Sequence, residues 1–266
     1  MTQGYASKVP ILMYHALEDD AHPSGAKDYG EHIYVLQVQQ FIQQMVFLRK
    51  AGFVTYFLEE LINMPQWPEN AIVLTFDDGH QSNVSLALPV LEKFGFKAHF
   101  FITTGWIETP FHLTSHQVKI LSDKGMQVGS HGVTHGYFNE MNVETAQKEL
   151  QMSRDSLRAI VDKSVASFSA PGGRITPETV DIGKSLGYTV FCTSRFAMMH
   201  SGEGLEGIPR FALRSDTSLN DFSKIVHGDV LYHLQRTARS TLLNLGKKML
   251  GNQIYERIRL ALMSGH

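Results

Sequence analysis

Eight short runs rich in apolar, β-branched and aromatic residues recur along the chain, and stretches of helical periodicity separate them. The runs are VPILMY (9–14), FVTYF (53–57), AIVLTF (71–76), KAHFFIT (97–103), MQVGS (126–130), VASFSA (165–170), YTVFC (188–192) and IPRFAL (208–213). Several are apolar without alternation, as strands covered on both faces must be. Between them, Val38, Phe41, Ile42, Met45 and Leu48 form one helical stripe that stops at Gly52. A second helix is expected from Asn142 to Asp162, and a third with Thr176 as N-cap, Pro177 at its first position and a stop near Gly187. Strand–helix alternation predicts a parallel α/β sheet. Eight strands favour an irregular (β/α) barrel of 7–8 strands over an open sheet. Residues 194–207 (SRFAMMHSGEGLEG), rich in glycine, are expected to form a mobile loop. The expected organisation is a main domain over 1–228 and a C-terminal helical extension over 229–266.

Composition narrows the function classes. Of 266 residues, 43% are hydrophobic and 19% charged, against an average near 25% charged, so a sizeable core can form and the composition argues against disorder. The net charge of -2 gives no basic field for nucleic acid. The single cysteine, Cys192, allows no intrachain disulfide. The start, MTQGYASKVPILMYH, lacks the basic and apolar regions of a signal peptide, and no apolar run approaches the roughly 18 residues of a membrane span. A cytoplasmic location is expected. One segment, 242–262 (LLNLGKKMLGNQIYERIRLAL), sets leucines beside Lys247, Lys248, Arg257 and Arg259. Its helix either packs on the barrel or lies on a membrane surface and brings the chain to it peripherally.

The chemistry begins where the run AIVLTF ends, in Asp77-Asp78-Gly79. Adjacent carboxylates at the C-terminal end of a buried strand stand where barrel active sites lie. Burying two anions costs several kcal/mol each without a cation, and a metal ion is the simplest one. A second run, MQVGS, leads into His131-Gly132-Val133-Thr134-His135. Histidines four apart share one face of a helix, and also of a strand, so both can reach one ion. An Asp oxygen and two His nitrogens with a position left for water make a catalytic zinc set.

TFDDG (75–79) and SHGVTH (130–135) resemble the first two motifs of the polysaccharide deacetylases, the NodB-homology domain of carbohydrate esterase family 4. The resemblance covers 9–226. It implies an irregular (β/α) barrel, Asp77 as general base, and Asp78, His131 and His135 as ligands of a divalent metal, zinc first among the candidates. The family's third motif, Arg-x-Pro-aromatic-Gly, is represented by Ser169-Ala170-Pro171-Gly172-Gly173-Arg174. Pro171 and Gly173 match, Ser169 replaces the arginine and Gly172 the aromatic residue, and Arg174 is the nearby candidate to replace the arginine. The resemblance assigns Gly172 N–H to the oxyanion. The fourth motif, an Asp-Trp pair, has no match, and the late Leu-x-x-His is approached only by Leu231-Tyr232-His233. Met13-Tyr14-His15 resembles the Tyr-His pair of members that make or modify biofilm polysaccharides, which implies His15 as the acid.

The implied reaction is removal of N-acetyl groups from a carbohydrate, polysaccharide or lipid-linked sugar, by metal-activated water, as in exopolysaccharide biosynthesis. Three alternatives stay open. A glycoside hydrolase needs two carboxylates about 5–9.5 Å apart and leaves the histidines unexplained. O-deacetylation or deformylation of a glycan would use the same site. A catalytically impaired carbohydrate-binding homologue would explain the missing motif residues.

Overall fold

The computed structural model describes residues 5–235. All eight expected runs contribute strands: β1 (Ile11–Tyr14), β2 (Val54–Thr55), β3 (Ala71–Phe76), β4 (His99–Ile102), β5 (Gln127–Ser130), β6 (Ser167–Ser169), β7 (Val190–Cys192) and β8 (Phe211–Ala212). They form one parallel sheet in the order β7-β6-β5-β4-β3-β1-β8. The short β2 pairs with the first two residues of β3, and β4 takes over the same edge at Thr75 and Phe76. The sheet curls until its ends meet through one parallel bridge, Cys192 to Ile208. The fold is therefore the irregular α/β barrel expected, with its circuit closed at a single point.

The strands are shorter than the apolar runs. Pro10 has no N–H to donate, and the first run splits into Lys8–Val9 and β1 there. Residues 194–207 are more structured than their glycines suggest: Met199–His200 pairs antiparallel with Lys8–Val9.

β3, apolar except for Thr75, is buried on both sides, and its parity decides what it meets. Ile72, Leu74 and Phe76 face the helical layer with Leu12, Tyr14 and Phe100. Val73 belongs to the barrel interior with Val9, Ile11, Phe101, Val190, Cys192 and Ile208. The helices on the outside follow the sequence signals. Helix α1 (Val38–Lys50) buries Phe41, Met45 and Leu48. Helix α2 (Val143–Val161) starts at Asn142, whose side chain accepts the Thr145 N–H, and ends at Asp162 with φ 53°. Helix α3 (Pro177–Ser185) starts at Thr176, whose hydroxyl accepts the Thr179 N–H.

Residues 230–235 are helical. The remainder of the 229–266 extension, including 242–262 and any membrane contact through it, lies outside the described residues. Among the described residues, no helix is long and apolar enough to cross a membrane.

Phe76 is the hub of the outer core, stacked on Phe100 at 4.8 Å and Tyr14 at 5.2 Å, with Phe41 edge-on at 5.8 Å. Phe76→Ala should destabilise the protein by about 3–5 kcal/mol through lost burial and the cavity left behind, measured by denaturant unfolding. A loss under about 1 kcal/mol would mean that this layer does not hold the barrel.

Candidate active site

Successive side chains of a strand point to opposite faces, so two adjacent aspartates cannot both serve one site unless the chain departs from the strand. It does so here. Asp77 keeps the inward parity of Val73 and Thr75, and its N–H still donates to Tyr14 O at 2.9 Å. Asp78 sits at φ 76°, a conformation that strains a residue with a Cβ. The turn brings both carboxylates to the same rim. Gly79 follows at φ 83°, and a Cβ there would meet Ile102 Cγ2 at 3.0 Å.

The two histidines converge differently from the expectation. Strand β5 ends at Ser130, and His131–His135 is neither helix nor strand. A loop makes the approach, with His135 at φ 60°. Glu149 of α2 shapes that loop: Oε2 accepts the N–H of Val133 at 2.7 Å and of Thr134 at 3.0 Å, and Oε1 accepts the Thr134 hydroxyl at 2.8 Å. His131 is buried and donates Nδ1–H to Ser169 O at 2.7 Å, which leaves the Nε2 lone pair for a ligand bond. His135 stacks on Trp106 at 4.9 Å.

Asp78 Oδ1 lies 3.3 Å from both His131 Nε2 and His135 Nε2. One atom from each residue falls within 4.8 Å of the others. Oδ1 is buried with no hydrogen-bond partner among the described residues. Ligands about 2.0–2.2 Å from a shared tetrahedral ion stand about 3.3–3.6 Å apart, so the trio fits a divalent metal. Burial would raise the Asp78 carboxyl, but the two imidazoles hold it well below the carboxylate range.

Asp77 is held by a residue that sequence reasoning passed over. Arg210, buried inside the barrel, makes a two-pronged pair with it: Nη1 to Oδ1 at 2.7 Å and Nη2 to Oδ2 at 2.7 Å. Its other donors reach Thr75 Oγ1 (3.0 Å), Ser169 Oγ (2.7 Å) and Thr193 O (2.9 Å). All five guanidinium N–H groups are thus used. Ser169 Oγ in turn donates to Asp77 Oδ2 at 3.0 Å. Burial pushes the Asp77 pKa up, but the charge of Arg210, then that of His131, outweighs it and leaves the group lowered, hence ionised. Arg174, the expected substitute for the motif arginine, is not at Asp77. It pairs with Glu140 at 3.2 Å and lies 3.9 Å over the Tyr137 ring. The signal that could have found Arg210 was its place in IPRFAL: an arginine inside a buried apolar run requires a buried anion.

The remaining candidates are placed as follows. Tyr14 and His15 part company: Tyr14 turns into the outer core and donates its hydroxyl to Gln44 Oε1 at 2.9 Å, whereas His15 feels the charges of Asp78 and Asp77. The His15 ring lies 4.8 Å from that of Tyr34, and its buried Nδ1 has no partner among the described residues. Burial lowers its pKa and outweighs the upward pull of Asp78 and Asp77. Pro171 is buried, and Pro171–Gly173 make one 3₁₀ turn directly after β6 with Gly172 at φ 61°. His233 packs between Phe211 and Phe196 at 4.9 and 5.7 Å. Phe211 belongs to the outer core, so His233 lies behind the sheet, away from the rim.

A closed parallel barrel with an ion-paired carboxylate and a converging Asp-His-His trio at its C-terminal rim defines a hydrolase site. Comparison with known proteins agrees. The polysaccharide deacetylase family model matches residues 65–191. The Bacillus subtilis protein YxkH is 26% identical over 224 residues, 83% of this chain and 76% of that protein. The Escherichia coli poly-β-1,6-N-acetyl-D-glucosamine N-deacetylase is 23% identical over 80% of this chain, and the match spans 38% of that protein's length. The structure of the Streptococcus pyogenes deacetylase PplD superposes with a TM-score of 0.72 at 24% identity, covering 82% of this chain and 98% of that one. Residues 65–191 are thus of polysaccharide deacetylase type, and the chain as a whole is similar to hydrolases of that kind.

Arg210→Met would leave Asp77 a buried, uncompensated charge. It should destabilise the protein by about 3–5 kcal/mol, and adding Asp77→Asn should recover part of that loss. Denaturant unfolding of the two single variants and the double variant checks this. Strictly additive losses would show that the pair is not energetically coupled.

Proposed function

We propose that this protein removes N-acetyl groups from a carbohydrate, as polymer or lipid-linked sugar, releasing acetate and leaving the amine on the sugar. The observation that carries the reading is the pairing of an ionised, Arg210-fixed carboxylate with the Asp78–His131–His135 trio. The name of the Escherichia coli relative supports an N-acetylated substrate.

A divalent ion, zinc by the donor set, would be held by Asp78, His131 and His135 and would polarise the acetyl carbonyl and lower the pKa of water. The other steps belong to the chain. Asp77 accepts the proton of the attacking water. Arg210 uses one lone pair of Oδ1 and, with Ser169, both of Oδ2, so a lone pair of Oδ1 stays open to that proton. Gly172 N–H, in the turn directly after β6, donates to the developing oxyanion. His15 delivers a proton to the departing nitrogen, since an amine anion is too basic to leave unaided. Its pKa is drawn down by burial, so it gives up a proton readily once it carries one.

Arg210 also weighs against a binding-only homologue. The missing third-motif arginine was one ground for that reading, beside the missing Asp-Trp pair, and Arg210, from the segment before β8, contacts Asp77 in its place.

Elemental analysis checks the ligands. Wild type should carry one divalent ion per chain, and Asp78→Ala and His131→Ala should lose it. Undiminished metal in both variants contradicts the trio. In the same preparations, acetate release from N-acetylated and O-acetylated glycans separates amide from ester hydrolysis.

The acid has its own test. His15→Ala should keep its metal and lose about 10²-fold or more in amide turnover. An activated acetate ester, whose leaving group needs no proton, should suffer much less. If amide and ester fall equally, His15 is not the acid.

A further inference from the structure

The two histidines of the trio are held in different ways. His131 is anchored at its ring by Ser169 O and at its N–H by Ile102 O, at 2.7 and 2.9 Å. The His135 side chain is 31% exposed and, apart from Asp78, has no hydrogen-bonded anchor of that kind among the described residues. It rests on Trp106 and on the backbone that delivers it at φ 60°. Whatever fixes residues 132–134 therefore fixes the second histidine.

Those three residues are clamped from two sides. Their N–H groups are taken by Ser130 and by helix α2. Gly132 N–H donates to Ser130 Oγ at 3.2 Å, which lies 2.7 Å from Ser153 Oγ. Val133 and Thr134 N–H both donate to Glu149 Oε2. Glu149 and Ser153 are four residues apart and so share one face of α2. The carbonyls turn the other way: Gly132 O accepts the Thr104 N–H at 3.0 Å and Val133 O the Gly105 N–H at 2.9 Å. That approach needs a glycine, because a Cβ at 105 would lie 2.4 Å from Val133 O. The same turn, Thr104–Trp106, carries the indole that stacks on His135.

Glu149 is the member of this clamp that helix packing does not explain. The buried stripe of α2 is otherwise Ala146, Leu150, Leu157 and Val161, with Ser153 as its other polar residue. Burying a carboxylate is costly without compensation, and Glu149, 7% exposed, makes no ion pair among the described residues. Both of its oxygens are spent instead on the loop between the two histidines. We infer that Glu149 is a positioning residue for the metal site: acting through residues 132–134, it holds His135 in ligand geometry and so sets the affinity of the trio for a divalent ion. The inference rests on the ligand set proposed above and deepens it.

The test titrates metal-free protein with Zn²⁺ against a chromophoric chelator, and with Co²⁺, whose visible absorption reports its ligands. Groups that orient ligands from behind typically carry about 10–100-fold of metal affinity, and Glu149→Ala should weaken binding by that amount. Its Co²⁺ spectrum should move toward that of His135→Ala. Glu149→Gln should recover most of the affinity, since its amide oxygen can accept both N–H groups and its amide nitrogen can donate to Thr134 Oγ1. The decisive variant combines Glu149→Ala with His135→Ala: with the histidine gone, the second change should cost almost nothing more. Thermal unfolding of the metal-free proteins checks that each is folded. Should Glu149→Ala fail there, Glu149→Asp, one methylene short of the loop, replaces it throughout. Wild-type affinity in the Glu149 variant, or an equal loss with and without His135, overturns the inference. Wild type that binds neither ion overturns the ligand set itself, and the inference with it. Wild type that binds the ion with this dependence on Glu149 yet releases no acetate from any glycan leaves the positioning role standing and overturns the proposed reaction instead.

Discussion

The contact on which the rest of the structure depends is the ion pair between Arg210 and Asp77. A carboxylate and a guanidinium inside a barrel each lose hydration worth several kcal/mol, and only near-perfect mutual satisfaction compensates. Here each guanidinium N–H has an acceptor, and those acceptors come from around the barrel: Thr75 and Asp77 at the end of β3, Ser169 on β6, Thr193 after β7. The pair thereby does structural and chemical work together. The barrel circuit is closed by one bridge, Cys192 to Ile208, and Arg210 staples the closing segment to three other strands two residues further on.

Ser169 carries that order into the rim. Its hydroxyl touches both members of the ion pair, and its carbonyl accepts the Nδ1–H of His131. One residue thus sets Asp77 and His131 relative to each other, and fixes which imidazole nitrogen is left open. At this position, where the family motif has an arginine, the serine hydroxyl accepts from an arginine of the closing segment before β8.

The sequence made the fold legible because period and punctuation agree. The strands lie within their apolar runs, and the caps Asn142 and Thr176 start their helices. It also exposed Asp77, Asp78, His131 and His135, because paired acids and paired histidines at strand ends are conspicuous. Two things were not readable. The partner of Asp77 lies 133 residues away in sequence, and local motif reading pointed to Arg174 because it was near in the chain, whereas the folded barrel brings Arg210 to it. The four-residue histidine spacing suggested a regular element, yet a loop fastened to Glu149 brings the rings together. Spacing reports that two side chains can meet, and not which backbone makes them do so.

That loop shows how the site is maintained. Two of the three converging residues, Asp78 and His135, occupy left-handed backbone at φ 76° and 60°. Each such residue costs on the order of 1–3 kcal/mol unless its surroundings over-determine it. Asp78 is bounded by β3 before it and by the Thr103 N–H on its carbonyl after it. His135 follows the three hydrogen bonds to Glu149 and is flanked by Trp106. At the rim, this backbone strain falls on the two positions where a strand end and a loop turn a side chain of the trio inward. The supports come from helix α2 through Glu149, from Trp106 and from the chain after β4 through the Thr103 N–H, so the three side chains converge through the geometry of the protein itself.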